Sequence, residues 1–298
     1  MVYTEIQEKK GKKHYYRVRS YREKGNVKKK TVYLGVDLTK DELVKKEKEA
    51  DKELNIFSTF LEKEDVVFLD KLRKDFSKEP IENQRNRYET FCSLFTFDST
   101  GIEGNTFTLS ETSHLLFEGI VPSSKSLREV NEVLNHKKAF DYILSYKKDI
   151  NQDFILTLHS LIATNAIDEE LKSQIGRYRK VQVFVGGSIP PSAEEVPKKM
   201  ESLVKWYAKN KKELHPLILA TYFHSEFEKI HPFVDGNGRV GRLIMNFILF
   251  KNKLPMINIP KKSRFKYYEA LKSAHRTNNF KPFIDLLINI LKKEQLRF

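Results

Sequence analysis

Residues 231–242 read His231-Pro232-Phe233-Val234-Asp235-Gly236-Asn237-Gly238-Arg239-Val240-Gly241-Arg242, and their types and spacing suit chemistry on a phosphate. Pro232 stops the helix-like run that ends at Ile230. Gly236 and Gly238 permit a tight turn whose backbone N–H groups converge. A helix opening at about Gly238 points its positive dipole end at that turn, and converging amides at a helix N-terminus form an anion site. Arg239 and Arg242, three residues apart, fall on one helix face and add two guanidinium forks. Asp235, at the lip of the turn, is placed to hold Mg²⁺ against phosphate oxygens, because magnesium is bound by one or two carboxylates plus substrate phosphates. His231, an imidazole of ordinary pKa about 6.5, can accept a hydroxyl proton near neutral pH. Together these parts fit nucleotidyl or phosphoryl transfer to a hydroxyl. Singly, each is commonplace: His-Pro stops helices, Gly-Asn-Gly makes turns, and Arg-x-x-Arg lines solvated faces. A metal site from His224, His231 and Asp235 is a rival, weakened because a single helical segment separates the two histidines.

The pattern His-Pro-Phe-x-Asp-Gly-Asn-Gly-Arg-x-x-Arg resembles the signature of the Fic (Fido) family at all nine fixed positions. The resemblance extends over roughly residues 85–295. It implies a mainly α, Fic-type helical bundle with a small β-hairpin flap. It also implies transfer of AMP from ATP, with Mg²⁺, to a Ser, Thr or Tyr hydroxyl of a target protein and of the chain itself. On that resemblance His231 is the general base and Asp235 the Mg²⁺ ligand. Gly236, Asn237 and Gly238 form the nest for the α- and β-phosphates, Arg239 and Arg242 bind the outer phosphates, and Phe233 is a buried anchor.

Upstream, Ser99-Thr100-Gly101-Ile102-Glu103-Gly104-Asn105 resembles the family's autoinhibitory motif, Ser/Thr-x-x-x-Glu-Gly/Asn, of the class whose inhibitory helix (about 97–104) precedes the core. Ser99, Glu103 and Gly104 are the inhibitory residues by that resemblance, with Glu103 pairing to Arg242. A carboxylate on Arg242 repels the γ-phosphate and removes its fork-shaped donor. Read without the family, Glu-Gly-Asn is a helix end followed by a left-handed glycine. In close relatives the same glutamate assists removal of AMP from the target, so de-AMPylation stays open. Residues 178–188 resemble the flap, on which a target segment adds as a strand at 181–185; Val185, Gly186, Gly187 and Ser188 would line the nucleotide. Lys266-Tyr267-Tyr268 resembles the segment packed on adenine, with Tyr268 the contact and His275 standing where a relative has asparagine. A dimer is a further implication of the resemblance. Because the nest touches only phosphates, a UTP or CDP-choline donor is an alternative.

The elements that must position these residues are helical. Helices are expected near 78–97, 109–119, 126–147, 151–165, 193–210, 215–230, 239–252, 263–276 and 281–294, and residues 40–54 read as an exposed helix or helical linker. Thr108-x-x-Glu111 and Ser192-x-x-Glu195 have capping-box form, and Ser263 is a candidate cap. Residues 178–187 interrupt the helices with β-branched residues running into a double glycine, read as a short hairpin. The expected divisions are 1–38 as a small basic antiparallel β module, 39–84 as a helical linker or helices, and 85–298 as the Fic-type domain.

Length and charge frame this reading. The chain has 298 residues, 54 Lys and Arg against 40 Asp and Glu, and a net charge of +14. Residues 1–36 hold eleven of those bases against three glutamates, in strands that alternate basic with aromatic or aliphatic residues around a Glu23-Lys24-Gly25-Asn26 turn. Nucleic acid is a possible partner through residues 1–36 alone, which leaves a nucleic-acid-associated regulator as a reading of another class; lysines that guard a sheet edge against aggregation are the plainer one. Arg177 and Arg179 are further candidates to meet a triphosphate. One cysteine, Cys92, excludes an internal disulfide and a Cys-based zinc site. No apolar run approaches the length of a membrane helix, and the first residues carry no apolar leader core, so a cytoplasmic protein with no membrane partner is expected.

Overall fold

The computed structural model describes residues 2–9, 11–23, 26–53, 60–76, 78, 81–186 and 189–294. The chain divides into two compact units, Met1–Glu64 and Asp65–Phe298.

The first unit is an antiparallel sheet of order β1-β2-β3, built from β1 (Val2–Lys9), β2 (Lys12–Glu23) and β3 (Asn26–Val36). Gly11, at φ 74°, turns β1 into β2, a conformation that glycine adopts without steric cost. A bulge between Tyr15 and Tyr16 leaves Leu34 as the extra residue of β3. Helix α1 (Lys40–Glu53) packs on this sheet rather than standing free as a linker. A three-stranded sheet leaves both faces wet unless something covers one. Here Arg17 of β2 meets Glu47 at 3.1 Å and Asp51 at 2.7 Å, and Ala50 is buried.

The second unit is helical, so the chain as a whole is mainly α with a small N-terminal sheet, as expected. Its elements are α2 (Lys63–Phe76), α3 (Ile81–Ile102), α4 (Leu109–Glu118), α5 (Leu127–Ser145), α6 (Gln152–Ala163), α7 (Val196–Asn210), α8 (Pro216–Ile230), α9 (Asn237–Lys251), α10 (Arg264–Thr277) and α11 (Lys281–Glu294). Helix α9 lies at the centre, in contact with α3, α5, α6 and α8. Val240, Leu243, Ile244, Phe247 and Ile248 all point into core, and a helix apolar on every side is a buried one. Each such fully buried side chain contributes about 1.5–3 kcal/mol before entropy is counted.

Local signals set the helix ends. Thr108 with Glu111, Ser126 with Glu129 and Ser192 with Glu195 close reciprocal capping boxes. Ser263 does not cap α10: it closes a short 3-10 turn, Lys261–Ser263, and makes no side-chain cap bond. The motif expected as a separate helix at 97–104 is the C-terminal end of the long α3. Among the described residues of the expected hairpin, Val185 alone has a bridge partner; the segment is otherwise irregular.

Candidate active site

The site forms where α8 ends and α9 begins. His231 closes α8 in the left-handed region (φ 51°), its N–H donating to the Phe227 carbonyl. The chain then doubles back through Phe233, which is fully buried and stacked on the His159 ring at 3.8 Å and 2°. The Asn237 side chain folds back onto this loop, accepting from Phe233 N at 2.9 Å and donating to Phe233 O at 2.8 Å. Its amide group is therefore a loop lock, and only its backbone N–H is left to face an anion. Gly236, at φ 78°, caps α9, and Asp235 Oδ1 accepts from the Gly236 N–H at 2.6 Å.

Two arginines lie along α9, both almost completely buried. Arg242 donates from Nε to Ser99 Oγ at 3.0 Å, and from Nη2 to Ser99 O and Glu103 Oε1, each at 2.8 Å. Burial pulls its pKa down, but Glu103, Tyr267 and Glu228 together more than offset this and the net direction is up. Glu103 sits directly over the nest: a Cβ on Gly238 would collide with its carboxylate. Arg239 lies 3.3 Å from Asp235 Oδ1 and 3.5 Å from Glu132 Oε1. Glu132 also accepts from Asn105 Nδ2 at 2.8 Å, so the segment after Glu103 is tethered to the second arginine as well. Arg128 completes the ring of charges, 3.5 Å from Asp235 Oδ2 and 3.2 Å from Asp168.

Burial dominates the electrostatics of His231. It pushes the His231 imidazole down to about 4, with Glu103 among the groups opposing the shift. The ring is therefore neutral, and able to take a proton, throughout the neutral range. Beneath it, Glu228 is a buried carboxyl pushed up to about 8 by desolvation. It lies against α9 where Gly241 leaves room, since a Cβ there would meet Glu228 Oε1 at 2.7 Å. His224 bonds to the Tyr267 hydroxyl at 2.7 Å and burial lowers its pKa to about 3. It is part of the core and not a metal ligand with His231 and Asp235. Among the described residues no group of three or more His, Cys, Asp or Glu side chains could hold a metal. Asp235, part-exposed at the nest lip, fits an ion whose remaining ligands come with the nucleotide.

Several sequence expectations fall elsewhere. Arg179 does not face a phosphate site: it is 2% exposed, and its guanidinium donates to the carbonyls of His231 at 2.8 Å, Val181 at 2.9 Å and Pro191 at 2.5 Å. It braces the flap segment against the end of α8. Arg177 is exposed. Tyr267 is core, whereas Tyr268 is 43% exposed, with its hydroxyl 3.5 Å from the Ile102 carbonyl. His275 bonds the Ser225 carbonyl through Nε2 at 2.9 Å, so that nitrogen is committed to α8 rather than to a ligand. Phe184 and Val181 of the flap segment are exposed; Gly187 and Ser188 lie outside the described residues. Gly104 takes φ 110° with open space around it. Three residues around the site, His159, Glu132 and Arg128, are absent from the sequence expectations. His159 accepts from Gly176 N at Nδ1 and bonds the Asp235 carbonyl through Nε2, at 3.0 and 3.2 Å. No local pattern marks these residues, because each acts across the fold.

This arrangement resembles that of Fic domains, and residues 149–249 match the model of the Fic/DOC family. The chain is 37% identical over 201 residues to the protein adenylyltransferase Fic of Drosophila melanogaster, which covers 66% of this chain and 40% of that protein. To the protein of the same name in Drosophila persimilis it is 36% identical, over 66% of this chain and 39% of that one. The chain thus spans about two fifths of the length of these curated relatives. Among solved structures it resembles a Fic domain containing signaling protein from Bacteroides thetaiotaomicron, with TM-score 0.70 and 27% identity over 78% of this chain and 95% of that one. It also resembles Fic-1 from C. elegans, with TM-score 0.71 and 26% identity over 88% of this chain and 77% of that one. No helix among the described residues is long and apolar enough to cross a membrane.

Proposed function

We propose that this chain is an autoinhibited protein adenylyltransferase, transferring AMP from ATP to a Ser, Thr or Tyr hydroxyl of a target protein and of itself. The observation that carries the reading is the Glu103 carboxylate, bonded to Arg242 and seated over Gly238 in the phosphate nest. In this reading neutral His231 takes the target hydroxyl's proton. The oxygen bonds to the α-phosphorus of ATP as the bond to pyrophosphate breaks, and the electron pair leaves with pyrophosphate. Amides at the start of α9, with Arg239 and Arg242, meet the charge that grows on the phosphoryl oxygens and leaving group. Asp235 would hold Mg²⁺, which supplies charge neutralisation on the phosphates.

With Glu103 in place, Arg242 is already paired and the nest already holds a negative group, so ATP binds without the outer-phosphate contacts that align it. Glu103 also lies in the field of His231, an arrangement that suits orienting a water for removal of AMP as the reverse activity. A target segment would lie along 181–185 by main-chain pairing, and Tyr268 is the tyrosine available to a base. Within this reading the protein works in the cytoplasm, consistent with its single, buried thiol.

The test is the intact mass of Glu103→Gly protein incubated with ATP and Mg²⁺. The reading expects a gain of one or more AMP, absent in the Glu103→Gly, His231→Ala double variant. No gain, or a gain that survives loss of His231, would overturn it. Thermal shifts with UTP and CDP-choline test the other donors, since the nucleotide that binds the folded state raises the melting temperature.

A further inference from the structure

The chemistry proposed above makes no use of the basic sheet. Directly opposed residues of paired strands share a face, so the register places Glu5, Tyr16 and Tyr33 in one row, with Gln7 opposite His14 and Lys9 opposite Lys12. Thr4, Arg17 and Val32 lie on the other face, where Arg17 and Thr4 bond to Glu47 of α1. One face is thus covered by α1, which carries six acids against five lysines. Helix α1 therefore carries a net charge of −1 beside the +8 of residues 1–36.

The face away from α1 is aromatic and cationic around Tyr16 and Tyr33, whereas Val18, two residues along β2 on the same face, is buried. Tyr33 is 52% exposed. Its ring lies 5.2 Å from Tyr16 and 6.0 Å from His14, and its hydroxyl is 3.1 Å from His14 Nδ1. Lys9 sits over the Tyr16 ring, 5.5 Å from its centroid. Lys9, Lys12 and Lys29 are all exposed. Glu5 is the one acid in that row, and it accepts from Gln7 at 2.8 Å.

We propose that this face binds single-stranded nucleic acid, with bases stacking on Tyr33 and its neighbours and phosphates meeting Lys9, Lys12 and Lys29. Stacking needs the flat face of an unpaired base, which a duplex does not offer, and flanking lysines track the backbone without reading sequence. The tyrosine hydroxyls and the imidazole keep the row too polar to insert among lipid chains. The test uses the full chain and fluorescence anisotropy with a fluorescein-labelled oligothymidylate of about 12 nucleotides, within the span of a single-strand site. Binding at low salt is expected, weakening with a log–log slope of about −2 for three phosphate contacts. Tyr33→Ala should weaken it about tenfold, Tyr33→Phe should bind nearly as wild type, and Lys9→Glu with Lys12→Glu should abolish it. Circular dichroism of each variant monitors the sheet. The proposal is overturned by absence of binding at low salt. Wild-type affinity in a folded Tyr33→Ala protein, or equal affinity for duplex DNA or anionic vesicles, would overturn it too.

Discussion

Replacing Glu103 by glutamine removes one charge and almost no volume, which isolates the electrostatic part of the inhibition. Arg242 is 1% exposed in its side chain and Glu103 36%, so the pair is buried at one end and wet at the other. Outright loss of a buried partner costs about 3–5 kcal/mol. The amide oxygen can still accept from Nη2, and solvent already screens Glu103. Ser99 also retains its two bonds. The net loss is then the difference between a charged and a neutral acceptor, about 1–2 kcal/mol. For a domain of this size that lowers Tm by roughly 2–6 °C. The same change frees Arg242 for a phosphate and removes a negative group from the nest, so ATP should stabilise the variant more than the wild type. Differential scanning fluorimetry with and without a non-hydrolysable ATP analogue and Mg²⁺ reads both effects. Free Glu103→Gln protein should melt lower, and its ligand-induced rise should exceed that of wild type. An unchanged Tm together with an unchanged ligand response would refute the view that Glu103 and nucleotide compete for Arg242.

Acid should unfold the protein sooner than its carboxylates alone predict. Burial lowers His159, His224 and His231 to about 4, 3 and 4, so below pH 6.5 the unfolded chain binds protons that the folded one refuses, and stability falls as pH falls. Between pH 6 and 5 the three histidines cost about 3–4 kcal/mol, and Glu228, raised to about 8, returns about 1 kcal/mol over the same interval. His136, also lowered by burial, adds to the loss, so urea unfolding at those two pH values should differ by at least about 2 kcal/mol. Arg179→Lys should lower stability by about 2–3 kcal/mol, since an ammonium cannot reproduce a planar fork serving carbonyls of three segments. It should also slow AMP transfer in a Glu103→Gly background by loosening the His231 loop, as read from labelling rate and Tm together.

The geometry of 231–242 was legible because the residues lie within one turn and the next helix, where spacing alone fixes it. Most helices were legible for the same local reason, with Thr108 and Ser192 marking starts through capping boxes. Helix α2 was expected only as part of a helical stretch at 39–84, without bounds: Leu69 and Leu72 form its buried stripe, too short a pattern to stand out in a highly charged run. Arg179 shows the limit most plainly, because a sequence shows a basic residue but not whether carbonyls or water surround it. Glu132 and His159 reach the site from α5 and α6, and only the packing of those helices on α9 gives them a role. The Glu103–Arg242 pair spans 139 residues; family resemblance pointed to it, whereas a chain read on its own would end α3 with a left-handed glycine.

Which phosphate of ATP reaches protein, and what restrains the transfer, separates adenylyl transfer under Glu103 control from every other reaction of this site. Parallel incubations with α-labelled and γ-labelled ATP, using wild type, Glu103→Gly and Glu103→Gly with His231→Ala, answer both points in one gel. Strong α-label is expected on Glu103→Gly, weak α-label on wild type, none on the double variant and no γ-label on any. Transfer of γ-label, or equal α-label on wild type and Glu103→Gly, would contradict adenylyl transfer under Glu103 control.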